Sequence, residues 1–115
     1  MLLKKNRLNK RKDFEKVLKG ARGLKSDFLY LKGADNELET TRIGFIVSQK
    51  VSRRAVVRNK LKRQLREIVK PELERIRKGK DLIFIALPGI EKQSFPEVKK
   101  AVDCLLKKSG LLTSP

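Results

Sequence analysis

The sequence has no histidine, no tryptophan and a single cysteine, Cys104, among its 115 residues. Without histidine the chain has no imidazole for general acid–base catalysis or metal binding, and one thiolate cannot build a zinc site. One cysteine also excludes an internal disulfide framework, which agrees with a reducing compartment. Neither the GxGxxG nor the GxxxxGK[ST] nucleotide-binding motif occurs. The sequence therefore argues against catalysis by this chain alone.

Long hydrophobic runs are also missing. The longest apolar stretch, residues 82–87, is far too short to cross a bilayer. The N-terminus lacks the apolar segment of a secretory signal peptide. These features predict a cytoplasmic protein with no membrane partner.

Acidic residues are scarce: 13 Asp and Glu face 30 Lys and Arg, which gives a formal net charge of +17. The charge is uneven, because residues 1–25 hold ten basic and two acidic side chains, whereas residues 27–48 hold two and four. Residues 50–70 hold nine basic side chains and one acidic. Such self-repulsion favours a polyanionic partner, which indicates a nucleic acid.

The first half of the chain predicts a helix and two strands. Residues 10–19 have apolar side chains at helical spacing, and Gly20 follows where a left-handed C-cap residue is common. Residues 28–32 and 43–48 read as strands that pair antiparallel, with a further short strand nearby. One layer of strands is thus expected beside a short amphipathic helix.

The strongest periodic signal predicts a helix over residues 52–70. Pro71 should stop or kink this helix, although residues 72–78 could continue as a second helical segment. Its apolar stripe consists of Val57, Leu61, Leu65 and Ile68.

The last third predicts a buried strand and a final helix. Residues 81–87 form a continuous apolar run typical of a central strand, and Ser94 with Glu97 has capping-box spacing before an apolar helix face. The expected fold is α+β, a small mixed sheet packed by three helices in one nucleic-acid-binding domain over residues 1–115. Residues 1–9 form a basic arm whose charge favours disorder without a bound partner, and residues 109–115 a frayed tail.

A row of cations accompanies the apolar stripe of the 52–70 helix. Arg58, Lys62 and Arg66 recur every four residues, and Glu67 is the only acid among them. A solvated helix face usually mixes acids with bases, so this row favours phosphate binding. Asn59 could also hydrogen-bond a base edge or a ribose 2′-hydroxyl, although an exposed helical Asn often has no such role.

This segment resembles bacterial ribonuclease P proteins, which carry an Arg-Asn-Arg helix. The pattern reads here as Arg58-Asn59-Lys60, and residues 43–51 and 81–86 resemble the family's strands on either side. Asn6-Arg7-Leu8 and Asp13-Phe14 resemble its N-terminal segment. The resemblance implies a left-handed crossover through the basic helix, where general rules favour a right-handed one.

The resemblance implies a division of labour within a ribonucleoprotein endoribonuclease that removes the 5′ leader of precursor tRNA. The RNA subunit hydrolyses the phosphodiester with Mg²⁺, while the protein binds that RNA and the single-stranded leader. No cofactor, metal ligand or dedicated protein partner is expected for the protein. The implied contacts to the RNA subunit are Lys50, Arg53, Arg54, Arg58, Asn59, Lys60, Lys62, Arg63 and Arg66.

The implied leader cleft lies between the first helix and one face of the first strand. Phe14 and Leu18 would form the helix side, where an aromatic can stack on an unpaired base, although an ordinary core face would look the same. This chain is one residue shorter than the family pattern before the strand. Two alternatives therefore remain for the strand side of the cleft: Phe28 with Tyr30, or Leu29 with Leu31.

Two further departures from the family pattern concern side-chain chemistry. Lys60 replaces the second arginine of the motif and lacks a guanidinium fork, and Leu18 stands where many members have an aromatic.

A ribosomal-type RNA-binding protein would share the charge and size. A helix-turn-helix DNA-binding protein conflicts with the strand content, and an autonomous nuclease lacks a carboxylate cluster.

Overall fold

The computed structural model describes residues 4–8, 10–20 and 22–112. Within these residues, three α-helices and four strands follow one another in the order α1-β1-β2-β3-α2-β4-α3. The helices are α1 Arg11–Gly20, α2 Ala55–Val69 and α3 Phe95–Ser109, and the strands are β1 Arg22–Lys25, β2 Leu29–Asp35, β3 Arg42–Ile46 and β4 Lys80–Ala86. The predicted α+β class and the predicted order of elements are confirmed.

The four strands form one mixed sheet in the order β1-β2-β4-β3. β4 is antiparallel to β2 and parallel to β3, so it lies in the interior of the sheet as predicted. The predicted pairing of β2 with β3 is wrong, because β4 lies between them. β4 is the most apolar strand and buries both of its faces, which favours an interior position over an edge.

The connection from β3 through α2 to β4 is left-handed. Ile43 faces the α2 layer, and its carbonyl accepts a hydrogen bond from the amide of Leu8 at the outer edge of β3. When a strand of L-residues is viewed with its N-terminus at the bottom, a residue whose side chain points towards the viewer has its backbone N–H and C=O on the viewer's right. Seen from α2, the Leu8 segment is therefore on the right of β3, and β4 is on its left. This crossover agrees with the resemblance and departs from the general rule.

The sheet has apolar side chains on both faces. The larger core lies between the sheet and the helices α2 and α3, and it includes Leu65, Phe84 and Val102. A smaller cluster joins α1 to the opposite face through Val17 and Ile83. The sheet thus separates two surfaces of the protein, one carried by α2 and α3 and the other by α1.

Capping and turn residues set the helix boundaries. α3 begins with the predicted capping box, in which Ser94 and Glu97 satisfy each other's backbone amides. α2 begins at Ala55, three residues later than predicted, and a 3-10 turn, Lys70–Arg75, follows it with Pro71 near its start. Gly20 is the last residue of α1 rather than the residue after it.

Both terminal segments are more closely attached than the sequence predicts, as far as the structure describes them. Leu8 is buried, and Arg7 forms a parallel bridge with Ile43 on β3. At the other end, the carbonyl of Leu111 accepts a hydrogen bond from the amide of Arg77. Backbone pairing fixes residues 110–112, whereas residues 113–115 of the predicted frayed tail lie outside the described residues. No described helix is long and apolar enough to span a membrane.

Candidate RNA-binding surfaces

The exposed side of α2 is basic. Leu61, Leu65 and Ile68 of the predicted stripe are buried against the sheet, which leaves the charged side chains outside. An α-helix has 3.6 residues per turn, so a row at every fourth residue turns about 40° per step. The row therefore starts beside the buried stripe with the half-buried Arg58 and ends at the exposed Arg66.

Arg58 binds the protein's own backbone. Its Nη1 donates hydrogen bonds to the carbonyl oxygens of Ser52 at 3.0 Å and Arg53 at 2.9 Å. These carbonyls belong to the loop that leads into α2, so the guanidinium clamps the loop to the first turn of the helix. The predicted RNA contact is thus also a structural group.

The loop before α2 presents three cations at the N-terminal end of the helix. Lys50, Arg53 and Arg54 are exposed, and the hydroxyl of Ser52 accepts the amide of Arg54 at 3.2 Å. The first turn of α2 has no acidic residue and no side-chain cap. The positive end of the helix dipole therefore adds to the loop charges, and both favour an anion.

The structure brings the residues predicted to contact the RNA subunit onto one continuous segment, the loop and α2. Two of them are half-buried, Arg58 and Lys62, and the others are exposed: Lys50, Arg53, Arg54, Asn59, Lys60, Arg63 and Arg66.

The surface predicted to form the leader cleft lies on the opposite face of the sheet, beside α1. One cross-strand row there, Gly44, Ile83 and Lys32, is covered by α1. A hydrogen bond joins α1 to this row: the carbonyl of Leu18 accepts it from Lys32 Nζ at 2.9 Å. Phe14 packs on the same row, since a Cβ on Gly44 would lie 2.4 Å from its ring.

The next row across the sheet is only half covered. Ile46, Ile85 and Tyr30 are register neighbours on β3, β4 and β2, and each is half-buried. This row forms the floor of the cleft, while Phe14 and Leu18 form its wall. Five apolar or aromatic side chains from four elements thus border this half-covered row.

The structure decides between the two alternatives for β2. Leu29 is 0% exposed and Leu31 is 3% exposed, and both point into the core against α2 and α3. Their assignment to the cleft is corrected. Tyr30 alternates with them and lies on the α1 face, with Lys32 Nζ 5.9 Å from its ring centre. Phe28 precedes the strand and packs on the larger core beside Gly89, so it also leaves the cleft.

Sequence reasoning missed two residues of the cleft floor, Ile46 and Ile85, and also Lys32 on the covered row beside it. The continuous apolar run of β4 gives no alternation that would separate Ile85 from the core residue Phe84. Ile46 belongs to a strand whose partner was assigned wrongly. Lys32 was the last residue of a predicted strand and carried no signal of its own.

The main charged cluster of the α1 face is centred on Arg42. Its guanidinium contacts Asp81, with Nε to Oδ1 at 2.8 Å and Nη2 to Oδ2 at 2.6 Å, and Asp13, with Nη1 to Oδ2 at 3.1 Å. The hydrogen bond to Asp81 raises the pKa of Arg42 above its ordinary value, so this group stays charged at any assay pH. A raised folded-state pKa stabilises the fold below the unfolded value, and this contribution is lost only at extreme alkaline pH.

The same cluster bears on metal binding. Asp13 and Asp81 both accept hydrogen bonds from the Arg42 guanidinium, which occupies carboxylate oxygens that a metal ion would need. Within residues 4–8, 10–20 and 22–112, no three carboxylate or thiol side chains group as a metal site would require.

A basic helix on one face of a small mixed sheet and an aromatic-lined cleft on the other define a class, the compact α+β RNA-binding proteins. A sequence profile of the family Ribonuclease P matches residues 2–110. The ribonuclease P protein component of Syntrophomonas wolfei is 35% identical over 111 residues, covering 96% of this chain and 92% of its own. That of Alkaliphilus oremlandii is 36% identical, covering 95% of each chain.

Solved structures agree with the sequence relatives. The Staphylococcus aureus ribonuclease P protein superposes with a TM-score of 0.86 at 28% identity, over 94% of this chain and 98% of that one. The Thermotoga maritima protein gives 0.81 at 31% identity, over 89% and 98%. The chain belongs to the ribonuclease P protein family, whose members are the protein component of the ribonucleoprotein endoribonuclease that matures the 5′ end of tRNA.

Proposed function

We propose that this chain binds the catalytic RNA subunit of ribonuclease P through its α2 surface and holds the 5′ leader of precursor tRNA in the α1 cleft. The observation that carries this proposal is the separation of the two surfaces by the sheet. Because the two surfaces lie on opposite faces of the sheet, the protein can contact two RNA elements at once without competition between the sites.

The α2 surface suits a folded RNA with closely spaced phosphates. Each phosphate that a cation neutralises releases counterions, which drives association and makes the affinity depend on salt. Arginine side chains such as Arg63 and Arg66 can also bind phosphate oxygens in a bidentate manner. The exposed Asn59 on the same side can bind a 2′-hydroxyl, a group that distinguishes RNA from DNA.

The α1 cleft suits a single strand of any sequence. Its floor is apolar, and Tyr30 offers a ring on which a base can stack. Lys32 beside that ring supplies a positive charge near the path of the backbone. Stacking and charge carry little sequence preference, which fits an enzyme whose substrates have different leaders.

The chemistry of cleavage belongs to the RNA subunit in this proposal, with Mg²⁺ bound by that RNA. The protein lowers the Mg²⁺ requirement because its cations share the neutralisation of phosphate charge. It also strengthens binding of precursor over mature tRNA, since only the precursor has a leader to fill the cleft.

The test is cleavage of precursor tRNA at low Mg²⁺ by a bacterial ribonuclease P RNA, with and without the purified protein. Cleavage at the mature 5′ end that requires both components supports the proposal. Tight RNA binding without stimulation of cleavage would instead favour a ribosomal-type RNA-binding protein.

A matched pair of variants tests the α2 surface. Arg63→Gln with Arg66→Gln removes two exposed charges from α2, and Lys99→Gln with Lys100→Gln removes two from the exposed side of α3. The first pair should reduce the slope of log affinity against log salt concentration for RNA-subunit binding by the amount expected for about two phosphate contacts. The second pair should have little effect on this slope. Equal effects of the two pairs would show that net charge alone drives binding.

The single tyrosine of the chain allows a direct test of the cleft. Protein labelled with ¹³C-tyrosine gives ring signals from Tyr30 alone. Addition of a short single-stranded RNA should move these signals, whereas a blunt RNA duplex should not. Unchanged signals at saturating single strand would place the leader elsewhere.

A further inference from the structure

Arg42 joins three elements of the fold. It lies on β3, Asp81 lies on the neighbouring β4, and Asp13 lies on α1. The contact between Arg42 and Asp13 is an ion pair that ties the N-terminal half of α1 to the sheet.

The two carboxylates have different roles in this cluster. Asp81 has only 5% of its side chain exposed, and it also accepts a hydrogen bond from Asn36 Nδ2 at 2.8 Å. A buried carboxylate needs such partners, so Asp81 and Asn36 fix the guanidinium within the sheet. Asp13 is 26% exposed and contacts Arg42 Nη1, whereas Asp81 contacts Nε and Nη2. Asp13 can therefore be altered without leaving a buried charge unpaired.

α1 needs such ties because it is short. A ten-residue helix is marginal by itself, and its apolar contacts come mainly from Phe14, Val17 and Leu18. Val17 is fully buried and anchors α1 at one point, but a single anchoring point does not fix the tilt of the helix relative to the sheet. The Asp13 ion pair fixes one half of α1, and the bond from Lys32 to the carbonyl of Leu18 fixes the other.

The position of Asp13 links this tie to the cleft. Phe14 is the next residue, and its ring packs on Gly44, two residues beyond Arg42 on β3. Ile46, two residues further along the same face, belongs to the open floor. A change in the tilt of α1 would therefore move the Phe14 ring over the covered row and change the width of the cleft.

We propose that Asp13, acting through Arg42, is a positioning residue for the leader cleft. It holds α1 at the tilt that leaves the Tyr30 row open beside the wall of Phe14 and Leu18. This inference rests on the proposed role of the cleft, and it assigns to an ion pair outside the cleft a part in recognising single-stranded RNA.

The variant Asp13→Asn tests the inference, with Glu15→Gln as its control. Both changes remove one negative charge from α1, but Glu15 pairs with Arg11 on the exposed side of the helix and, in the described part of the chain, has no ion pair with the sheet. The assay is the affinity of the reconstituted holoenzyme for precursor tRNA and for the same tRNA without a leader. Asp13→Asn should weaken precursor binding about three- to tenfold and leave the leaderless tRNA and the RNA subunit unaffected. Glu15→Gln should match the wild type with all three.

Conservative variants separate positioning from stability. Asp13→Glu keeps the charge and should recover most of the precursor affinity. Arg42→Lys keeps a cation for Asp81 but cannot hold both carboxylates, so it should reproduce the defect of Asp13→Asn in a protein with unchanged RNA-subunit binding. Combining Arg42→Lys with Asp13→Asn should add little further loss, because both changes break the same contact.

Two results with Asp13→Asn would overturn the inference. One is equal precursor affinity of Asp13→Asn and Glu15→Gln, and the other is a loss by Asp13→Asn that is the same with and without a leader. Tyr30→Ala, measured in parallel, separates a failure of this inference from a failure of the proposed cleft function. If Tyr30→Ala weakens precursor binding while Asp13→Asn does not, the cleft function stands and the positioning role fails. If Tyr30→Ala leaves the difference in affinity between precursor and leaderless tRNA unchanged, the proposed cleft function fails, and the positioning role of Asp13 fails with it.

Discussion

The clamp formed by Arg58 leads to a prediction that separates the structural role of this side chain from its charge. Arg58→Lys keeps the positive charge on α2 but replaces the planar guanidinium by a shorter ammonium group. The carbonyls of Ser52 and Arg53 then lose the donor that reaches both of them. The loop before α2 should become less ordered, while the total charge of the surface stays the same.

The size of the effect follows from the two hydrogen bonds. Each is close to ideal length, and a hydrogen bond of this kind contributes about 1 kcal/mol net. Arg58 is half-buried rather than fully buried, so water replaces part of what is lost. We expect the free energy of unfolding to fall by about 1 kcal/mol. Affinity for the RNA subunit should fall about fivefold, since ~1.4 kcal/mol corresponds to a factor of ten.

The assays are urea unfolding and RNA-subunit binding over a range of salt concentrations. Arg58→Lys should keep the salt slope of the wild type, because no phosphate contact is lost. Arg66→Ala is the comparison, since the exposed Arg66 forms no side-chain hydrogen bond or ion pair with the described part of the chain. It should reduce the slope by about one phosphate's worth and leave stability within about 0.5 kcal/mol. An Arg58→Lys protein with wild-type stability and affinity would refute the clamp.

Three further changes probe the core, a helix cap and the cleft. Leu65→Ala, at a fully buried position of α2, should lower the free energy of unfolding by about 2–5 kcal/mol in urea titrations, and a loss under 1 kcal/mol would contradict the packing described. Ser94→Ala removes the capping box of α3 and should cost about 1 kcal/mol in the same assay, whereas no change would mean that the cap is dispensable. Gly44→Ala places a methyl group against the Phe14 ring, so it should weaken binding of leader-bearing precursor tRNA severalfold and leave the affinity for the RNA subunit unchanged. Equal loss of both affinities would argue against a local effect on the cleft.

Elements with a strong local pattern could be predicted from the sequence. The apolar stripe of α2 appears in the structure as predicted, and so do the capping box of α3 and the interior position of β4. Helical spacing, caps and apolar runs depend on residues a few positions apart, and those relations survive in any fold. The charge distribution likewise indicated a nucleic-acid partner before any contact was known.

The partner of each strand could not be predicted in this way. The wrong pairing of β2 with β3 came from their proximity in sequence, whereas β4 joins the sheet from more than 30 residues away. The face that Tyr30 occupies depends on that register, since a shift by one residue exchanges the two faces of a strand. Local patterns therefore left the cleft with two alternatives.

Sequence patterns alone predict the helices, the apolar strands, the basic surface of α2 and the family to which the chain belongs. Three features emerge only from the three-dimensional arrangement: Tyr30 rather than Leu29 or Leu31 borders the cleft, Arg58 clamps its own loop, and Arg42 joins α1 to the sheet. The two groups of features differ in the sequence separation of the interacting residues. Propensity and periodicity act within one element, but ion pairs and strand register form between elements distant in sequence, where the pairing of the whole sheet selects one arrangement.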